Sequence, residues 1–523
     1  MELEISSWSS LALFISILFL LFTKNILKKH ANPKLNLPPS PPSLPIIGHL
    51  HLLKEPLHRT LHHMARKYGD VLLLRFGTRD VVVVSSYSAT EECFTKNDFA
   101  FSNRPQSLAG KHLNYNHKTI GFSNYSDHWR ILRRLTAMEL LSTNRIAMFA
   151  GSREEEARLM VKQIFQERQH HFNADHECQS KWTRVELRPK IVDLVFNIMM
   201  KMVAGKRYNG NGIVDEEARQ FQSIMREISE LLGSSTINDF LPFLQRIDFQ
   251  GVERRMIRVK EKMDSFFQSL VDDHRKIKIE SGENNNIETS MSFVDVILSL
   301  QDSNPQAYDD ETIKGLMLAM LLAGTDTAVI TIEWAMSLLL NHANTMQKAW
   351  LEINGNVGND RLVNESDYSK LNFLQSVINE TFRLFPGVPV ILPRESSDDC
   401  TLSGFDIKKG TILLINAWSI HREEKQWEDA TSFIPERFGK DGAEGSNKLL
   451  MFGGGRRICP GGLLARRVVC LGLGSLIQSF EWERIGADAI DLTEEPGLSM
   501  CKLHPLLALC KPRQPMIHIL NKL

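Results

Sequence analysis

The segment Phe452-Gly453-Gly454-Gly455-Arg456-Arg457-Ile458-Cys459-Pro460-Gly461 gathers a cysteine, several glycines and adjacent arginines in one short run. An apolar run patterned as a helix follows it through Phe480. Cys459 is therefore expected just before or at the first helical turn, beside unpaired backbone N–H groups that favour a thiolate. A thiolate there can serve as a nucleophile, a zinc ligand or the axial ligand of a haem iron. Zinc requires further ligands at recognisable spacing, and Cys459 has neither a Cys-x-x-Cys partner nor a nearby histidine. A haem requires one strong proximal ligand, glycine where the porphyrin approaches and an arginine for a propionate, and Cys459, Gly455 and Arg457 supply these. A glycine-rich loop before a helix also suits phosphate, although this one lacks the Gly-Lys-Ser/Thr ending of a P-loop.

A second chemical stretch is Ala323-Gly324-Thr325-Asp326-Thr327-Ala328, inside an apolar helical pattern from Asp309 to about Leu340. Glycine there costs roughly 1 kcal/mol of helix propensity against alanine, so something must offset it. Met320, Ala323, Gly324, Thr327 and Thr331 share a helix face, setting small residues and a hydroxyl against a flat or bulky object. The structural alternative is a tight helix crossing with the Thr327 hydroxyl bonded to the carbonyl four residues earlier.

Two further pairs have helical spacing. Trp129 and Arg133, four apart, give either a solvated basic helix with one buried indole or an anion clamp. Glu380 and Arg383, three apart, read as structural; if buried they need another partner, which Arg437 in Pro435-Glu436-Arg437-Phe438 can provide. Prolines 386, 389 and 393 hold an extended path on which Val388, Val390, Ile391 and Leu392 line a pocket, together with Met320, Ala323, the 106–125 loop, Leu498 and Ser499.

The elements that must carry these residues are mainly helical, with small sheets. Leu57 to Tyr68 reads as a helix, and Val71 to Phe76 with Asp80 to Ser85 as a hairpin. The stretch from Phe99 to Asp127 reads as a long loop with irregular short helix, a candidate lid. Glu154 to about Leu300 is helical apart from breaks at Gly205 to Gly212 and a polar insertion at Glu280 to Ser290. Strand-like pieces lie at Thr401 to Ile407 and Thr411 to Asn416, and Pro496-Gly497-Leu498-Ser499 reads as the turn of a C-terminal hairpin ending near Cys510.

Ile5 to Phe22 is uncharged and mostly apolar, rising about 27 Å as a helix, enough to span a thin membrane. Glu2 and Glu4 precede it and Lys24, Lys28 and Lys29 follow, which places the body on the cytoplasmic side of a retained anchor. On that topology Asn364-Glu365-Ser366 stays unglycosylated. The Pro-rich run from Leu37 to Gly48 reads as a stiff spacer. The division expected is residues 1–29 as membrane anchor, 30–50 as Pro-rich hinge and 51–523 as a single catalytic domain. Length alone would admit about two to four domains, but no repeat or second module is visible. The 62 basic and 62 acidic residues balance, giving no reason to expect nucleic acid. Seven scattered cysteines argue for a reducing compartment rather than a disulfide scaffold.

In this order the motifs resemble the cytochrome P450 superfamily, the haem-thiolate monooxygenases, over essentially the whole chain. The resemblance implies the P450 fold and haem b, with Cys459 as proximal ligand and Phe452, Arg457 and Gly461 in the same loop. Trp129, Arg133 and Arg394 match residues toward the propionates, and Glu380, Arg383 and Arg437 the structural ion-pair set. Ala323, Gly324, Asp326 and Thr327 match the oxygen-activating stretch. Met320 to Thr327, Glu333-Trp334-Ala335-Met336 and Glu481-Trp482-Glu483-Arg484 resemble the plant group that includes isoflavone hydroxylases and the sesamin-forming enzyme. That likeness implies an endoplasmic-reticulum enzyme fed with NADPH electrons by a separate cytochrome P450 reductase. The reductase is expected to dock on a basic face around Arg130, Arg133, Arg134, Arg456, Arg466 and Arg467, some of which must turn inward. No nucleotide fingerprint is present, in keeping with an external donor.

Ala328 departs from the usual Thr or Ser after the catalytic Thr. Hydroxylation of a small hydrophobic or aromatic specialised metabolite is the expected reaction. Methylenedioxy-bridge closure stands beside it, as do a reductase-independent haem-thiolate isomerase or dehydratase and a noncatalytic haem or lipid binder.

Overall fold

The computed structural model describes residues 16, 35–174, 182–210, 213–214, 216–233, 237–241, 244, 248, 251–281, 291–439 and 445–523. The expected anchor, apart from residue 16, and most of the polar insertion lie outside the described residues.

Helix α1 (Leu57–Tyr68) leads into strands β1 (Val71–Phe76) and β2 (Arg79–Val84), which pair antiparallel as expected. A short helix (Leu108–Leu113) interrupts the long loop before α2 (Asp127–Leu135), and α3 (Ala150–Ala174) precedes β3 (Thr183–Glu186). Then come α4 (Leu187–Ala204), α5 (Glu216–Gly233), α6 (Val252–Ser281), α7 (Asp310–Asn341) and α8 (Asn372–Leu384). Strands β4 (Ile391–Glu395) and β5 (Ile412–Ile415), helix α9 (Gly462–Ser479) and strands β6 (Phe480–Glu483) and β7 (Leu507–Pro512) complete the frame.

The larger sheet runs β1-β2-β5-β4, with β2 and β5 parallel and the other pairs antiparallel. Its period-two alternation divides the valines: Val82 and Val84 join one core with Leu413 and Ile415, while Val81 and Val83 join another with Ile412 and Leu414. A continuous apolar run thus forms a strand buried on both faces. A second sheet, β6-β7-β3, closes the C-terminus. Here the expected hairpin differs. Residues 494 and 502 flank the proline-glycine turn as an isolated bridge, whereas β7 pairs with β6 and β3, sequence-distant partners that no local turn signal specifies.

Helix α7 spans the body, as its pattern predicts. Its start is fixed by Asp309, whose side chain accepts the Thr312 N–H at 2.8 Å, with Asp310 and Glu311 complementing the helix dipole. Among the described residues α7 is the one helix long and apolar enough to cross a membrane, yet it is mostly buried and packs against α4, α8 and α9.

The break at Gly205 is a left-handed helix end, φ +63°, whose N–H returns to the Lys201 carbonyl. Glu380, Arg383 and Arg437 form the expected ion-pair set. Arg383 donates to both Glu380 oxygens (2.7 and 2.8 Å), Arg437 Nε donates to Glu380 at 3.0 Å, and the Ile434 N–H adds a further bond at 2.9 Å. Arg383 also donates to the carbonyls of His421, Ala430 and Ser432, so α8 is fastened to the chain that approaches the cysteine loop. His421 extends this link: its Nε2 accepts the Leu450 N–H at 2.8 Å while its other ring nitrogen faces the Arg383 carbonyl. Burial, then Arg383 and Arg422, push its imidazole down to about 3, so it remains neutral and able to accept.

Candidate active site

The cysteine loop is set by close backbone approaches. Gly453 and Gly455 have φ +68° and +63°, and a Cβ on Gly455 would lie 2.0 Å from the Asp98 carboxylate. The Cys459 N–H donates to the Phe452 carbonyl at 2.8 Å, and the Phe452 ring lies so close to Gly462 that an added Cβ would contact it at 3.6 Å. Cys459 precedes α9, whose N-terminal cap is Gly461. The thiol is exposed at its own surface yet surrounded by protein.

Its acidity differs from the sequence expectation. Burial pushes the Cys459 thiol up, against the pull of the Gly461 N–H and the Arg133 guanidinium. A helix mouth alone therefore does not deliver the thiolate; coordination to a metal, which deprotonates a thiol outright, would do so.

The surrounding cations fit a buried dianion. Arg104, Arg394 and Arg457 are buried, and Arg133 is half-buried. Burial lowers the proton affinity of all four. Arg394 and Arg457 further lower that of Arg104, and Arg394 and Arg133 that of Arg457, which is pushed down to about 9. Arg394 falls to about 10, with Asp98 opposing the fall from 3.8 Å. Nε and Nη1 of Arg394 and Nε of Arg104 have no hydrogen-bond acceptor. Mutually repelling guanidinium groups with orphaned N–H donors beside a lone cysteine suit the two propionates of haem b.

Carbonyls orient these arginines. Arg457 donates to Ser102 at 2.8 Å and Ser123 at 2.6 Å, and stacks 4.4 Å from the Trp129 ring centre. Trp129 Nε1 donates to the Ile120 carbonyl at 3.1 Å, so the indole braces Arg457. Arg394 donates to the Gly454 carbonyl at 2.7 Å, and Arg104 to the Leu392 and Pro393 carbonyls. Arg104 is absent from the sequence reading. It stands in Ser-Asn-Arg-Pro, where only the extended geometry imposed before proline hints at a fixed role.

On α7, Ala323 is exposed although Leu318 and Ala328 on either side along the helix are buried, so the helix offers a small-residue face to open space. Gly324 turns elsewhere: a Cβ there would lie 2.6 Å from Cε of Met199 on α4. Its glycine thus serves a tight crossing of α4 and α7. The Thr327 hydroxyl donates to the Ala323 carbonyl at 2.7 Å. Asp326 accepts from the Ser229 hydroxyl at 2.9 Å; burial raises its carboxyl, opposed by Ser229 and Arg226. Ala328 is buried in the principal core.

Of the expected pocket residues, Met320 is buried, while Val388 and Leu392 are half-buried. Val390 and Ile391 pack against the two cores of the larger sheet. Leu498 abuts Gly233 at the end of α5, and the Met500 N–H beyond Ser499 donates to the Gly387 carbonyl at 3.0 Å. Gly387 itself lies against Thr327. The C-terminal turn, the proline-rich path and the oxygen-path helix therefore meet. The basic face is smaller than expected: Arg466 bonds Asn379 and stacks between Phe382 and Phe452, and Arg467 bonds Glu365, whereas Arg130, Arg134 and Arg456 are exposed.

The sequence profile of the family described as Cytochrome P450 matches residues 38–509. Cytochrome P450 81Q32 of Catharanthus roseus is 47% identical over 488 residues, 93% of this chain and 94% of its own length. Isoflavone 3'-hydroxylase of Medicago truncatula is 45% identical over 95% of this chain and 97% of its own. (+)-Piperitol/(+)-sesamin synthase CYP81Q2 of Sesamum radiatum is 44% identical, covering 98% of both chains.

Proposed function

Because the chain belongs to the cytochrome P450 family and is a P450 monooxygenase, we propose that it hydroxylates a small hydrophobic or aromatic plant specialised metabolite. The observation that carries this is Cys459 before α9 with Arg133 beside it and Arg457 two residues away, Arg104 and Arg394 adjoining Arg457, and α9 packed against α7, the helix that carries Ala323–Thr327. The bound haem iron would supply dioxygen activation, consuming two electrons and two protons. Cys459 would hold the iron, and the arginines with Trp129 would fix the propionates. Asp326 would route protons, and Thr327 would release its bond to Ala323 and turn its hydroxyl toward the oxygen.

NADPH electrons would arrive through a separate cytochrome P450 reductase docked at Arg130, Arg134 and Arg456. Arg456 is held by Asp98 at 3.0 Å beside Phe99 and Tyr125, giving a cationic and aromatic landing patch. The apolar segment 5–22 would tether the protein to the endoplasmic-reticulum membrane with its body in the cytoplasm.

Methylenedioxy-bridge closure is the second reading, favoured by similarity to the sesamin synthase of Sesamum radiatum. Ala328 lends it no support, since a hydroxyl there would face the core. Product masses from isoflavone and lignan-type methoxyphenols separate the two: hydroxylation adds one oxygen atom, whereas bridge closure removes two hydrogens. Product formation without NADPH would overturn both in favour of an isomerase. Thr327→Ala should retain the thiolate absorption signature and divert about tenfold more reducing equivalents to peroxide, the scale of one lost hydrogen bond. Unchanged product per NADPH would remove Thr327 from the oxygen path.

A further inference from the structure

Asp326 and Thr327 are neighbours in sequence yet point into different hydrogen-bonding arrangements. Thr327 bonds within its own helix, to Ala323, while Asp326 reaches across to Ser229 on α5 at 2.9 Å. Among the described residues no hydrogen bond joins Asp326 to Thr327, and Ser229 is the side-chain partner of the carboxylate.

Ser229 stands at a boundary. Ile228 before it is buried, Glu230 after it is exposed, and Ser229 itself is half-buried. Its hydroxyl can thus touch solvent on one side and Asp326 on the other. The exposed Arg226, three residues earlier on the same helix, lends positive charge to Asp326. Helix α5 also has a fixed end: a Cβ on Gly233 would come within 2.8 Å of the Leu498 backbone nitrogen. The helix that carries Ser229 therefore abuts the C-terminal turn, whose neighbour Gly387 contacts Thr327.

The geometry points to Ser229 as the solvent-side station of the proton route through Asp326, a positioning residue mounted on a helix that adjoins the substrate-pocket wall. This rests on the proton-routing role of Asp326 proposed above. In the transfer, the Ser229 Oγ–H bond breaks as an Asp326 Oδ2–H bond forms, and Ser229 Oγ takes a replacement proton from a solvent acid. Asp326 then gives up its proton on the Thr327 side. One proton crosses, both side chains return to their starting states, and neither is oxidised or reduced. A chain that relies on this station loses delivery when the hydroxyl goes, even if the α5–α7 contact remains.

Ser229→Thr and Ser229→Val test this, being nearly equal in shape and differing by a hydroxyl. Both are compared in the full-length, haem-loaded protein with reductase. Ser229→Thr should stay within about twofold of the parent in product per NADPH, while Ser229→Val should show on the order of a tenfold rise in peroxide released per product, with a larger solvent isotope effect. A second readout needs no turnover. The infrared carboxylate stretching bands of Asp326, assigned by their disappearance in Asp326→Asn, should keep their positions in Ser229→Thr and move to those of a carboxylate lacking this bond in Ser229→Val. Equal uncoupling in the Thr and Val variants, or a band unmoved by Val, would overturn the role of Ser229. If Asp326→Asn itself leaves product per NADPH unchanged, the proton-routing reading of Asp326 fails; if it uncouples while Ser229→Val does not, the Ser229 inference alone fails.

Discussion

Cys459→Ala protein is expected to lose the thiolate absorption signature completely and its NADPH-dependent turnover with it. The loop that presents Cys459 is held by other groups: the glycine turns at 453 and 455, the Arg457 bonds to Ser102 and Ser123, and the contact of Phe452 with Gly462. Alanine can still donate its backbone N–H to the Phe452 carbonyl, so the loop should keep its shape. The loss is therefore of ligation rather than of fold. Far-ultraviolet circular dichroism should match the parent. A thiolate signature that survives in the variant would remove Cys459 from the iron.

The second large effect lies away from the site. Glu380→Leu should leave the buried Arg383 and the adjoining Arg437 without their shared carboxylate, costing about 3–5 kcal/mol, as expected when one member of a buried ion pair is removed. Against a typical domain stability of about 5–15 kcal/mol, that is enough to deplete the folded protein at growth temperature. Arg383 also carries the carbonyls of His421, Ala430 and Ser432, so the damage should spread toward the cysteine loop and lower haem content. The urea midpoint and the haem-to-protein ratio measure both effects. An unchanged midpoint would mean that the ion pair does not support the fold.

What the sequence made legible was local. The cysteine loop and the Glu380–Arg383 pair bring their residues together through a turn or a helix repeat, so their spacing was readable; the α7 motif was readable as one helix, but the direction its Gly324 takes was not. The valine-rich hairpin was likewise legible, since apolar runs around Gly77 specify adjacent strands. The missing pieces arrive from distant chain segments. Met199 explains Gly324 only once α4 crosses α7, and Ser229 meets Asp326 only once α5 lies beside it. Arg104 becomes readable through the carbonyls of Leu392 and Pro393, far along the chain. Arg466 and Arg467 looked like part of a basic surface because charge shows in sequence, whereas the acceptors Asn379 and Glu365 that draw them inward do not. The acidity of Cys459 departed from expectation for the same reason: the helix mouth is visible in sequence, but the burial that opposes it is not.

Cys459 as ligand of a haem iron reduced by an external flavoprotein is what the proposed function depends on most. The most direct measurement is the carbon-monoxide difference spectrum of the membrane-expressed protein, reduced by NADPH through plant cytochrome P450 reductase. Ligation by Cys459 predicts the red-shifted Soret band of a thiolate-ligated ferrous complex, absent from Cys459→Ala. A spectrum without that band, under dithionite as well as under NADPH, would contradict it.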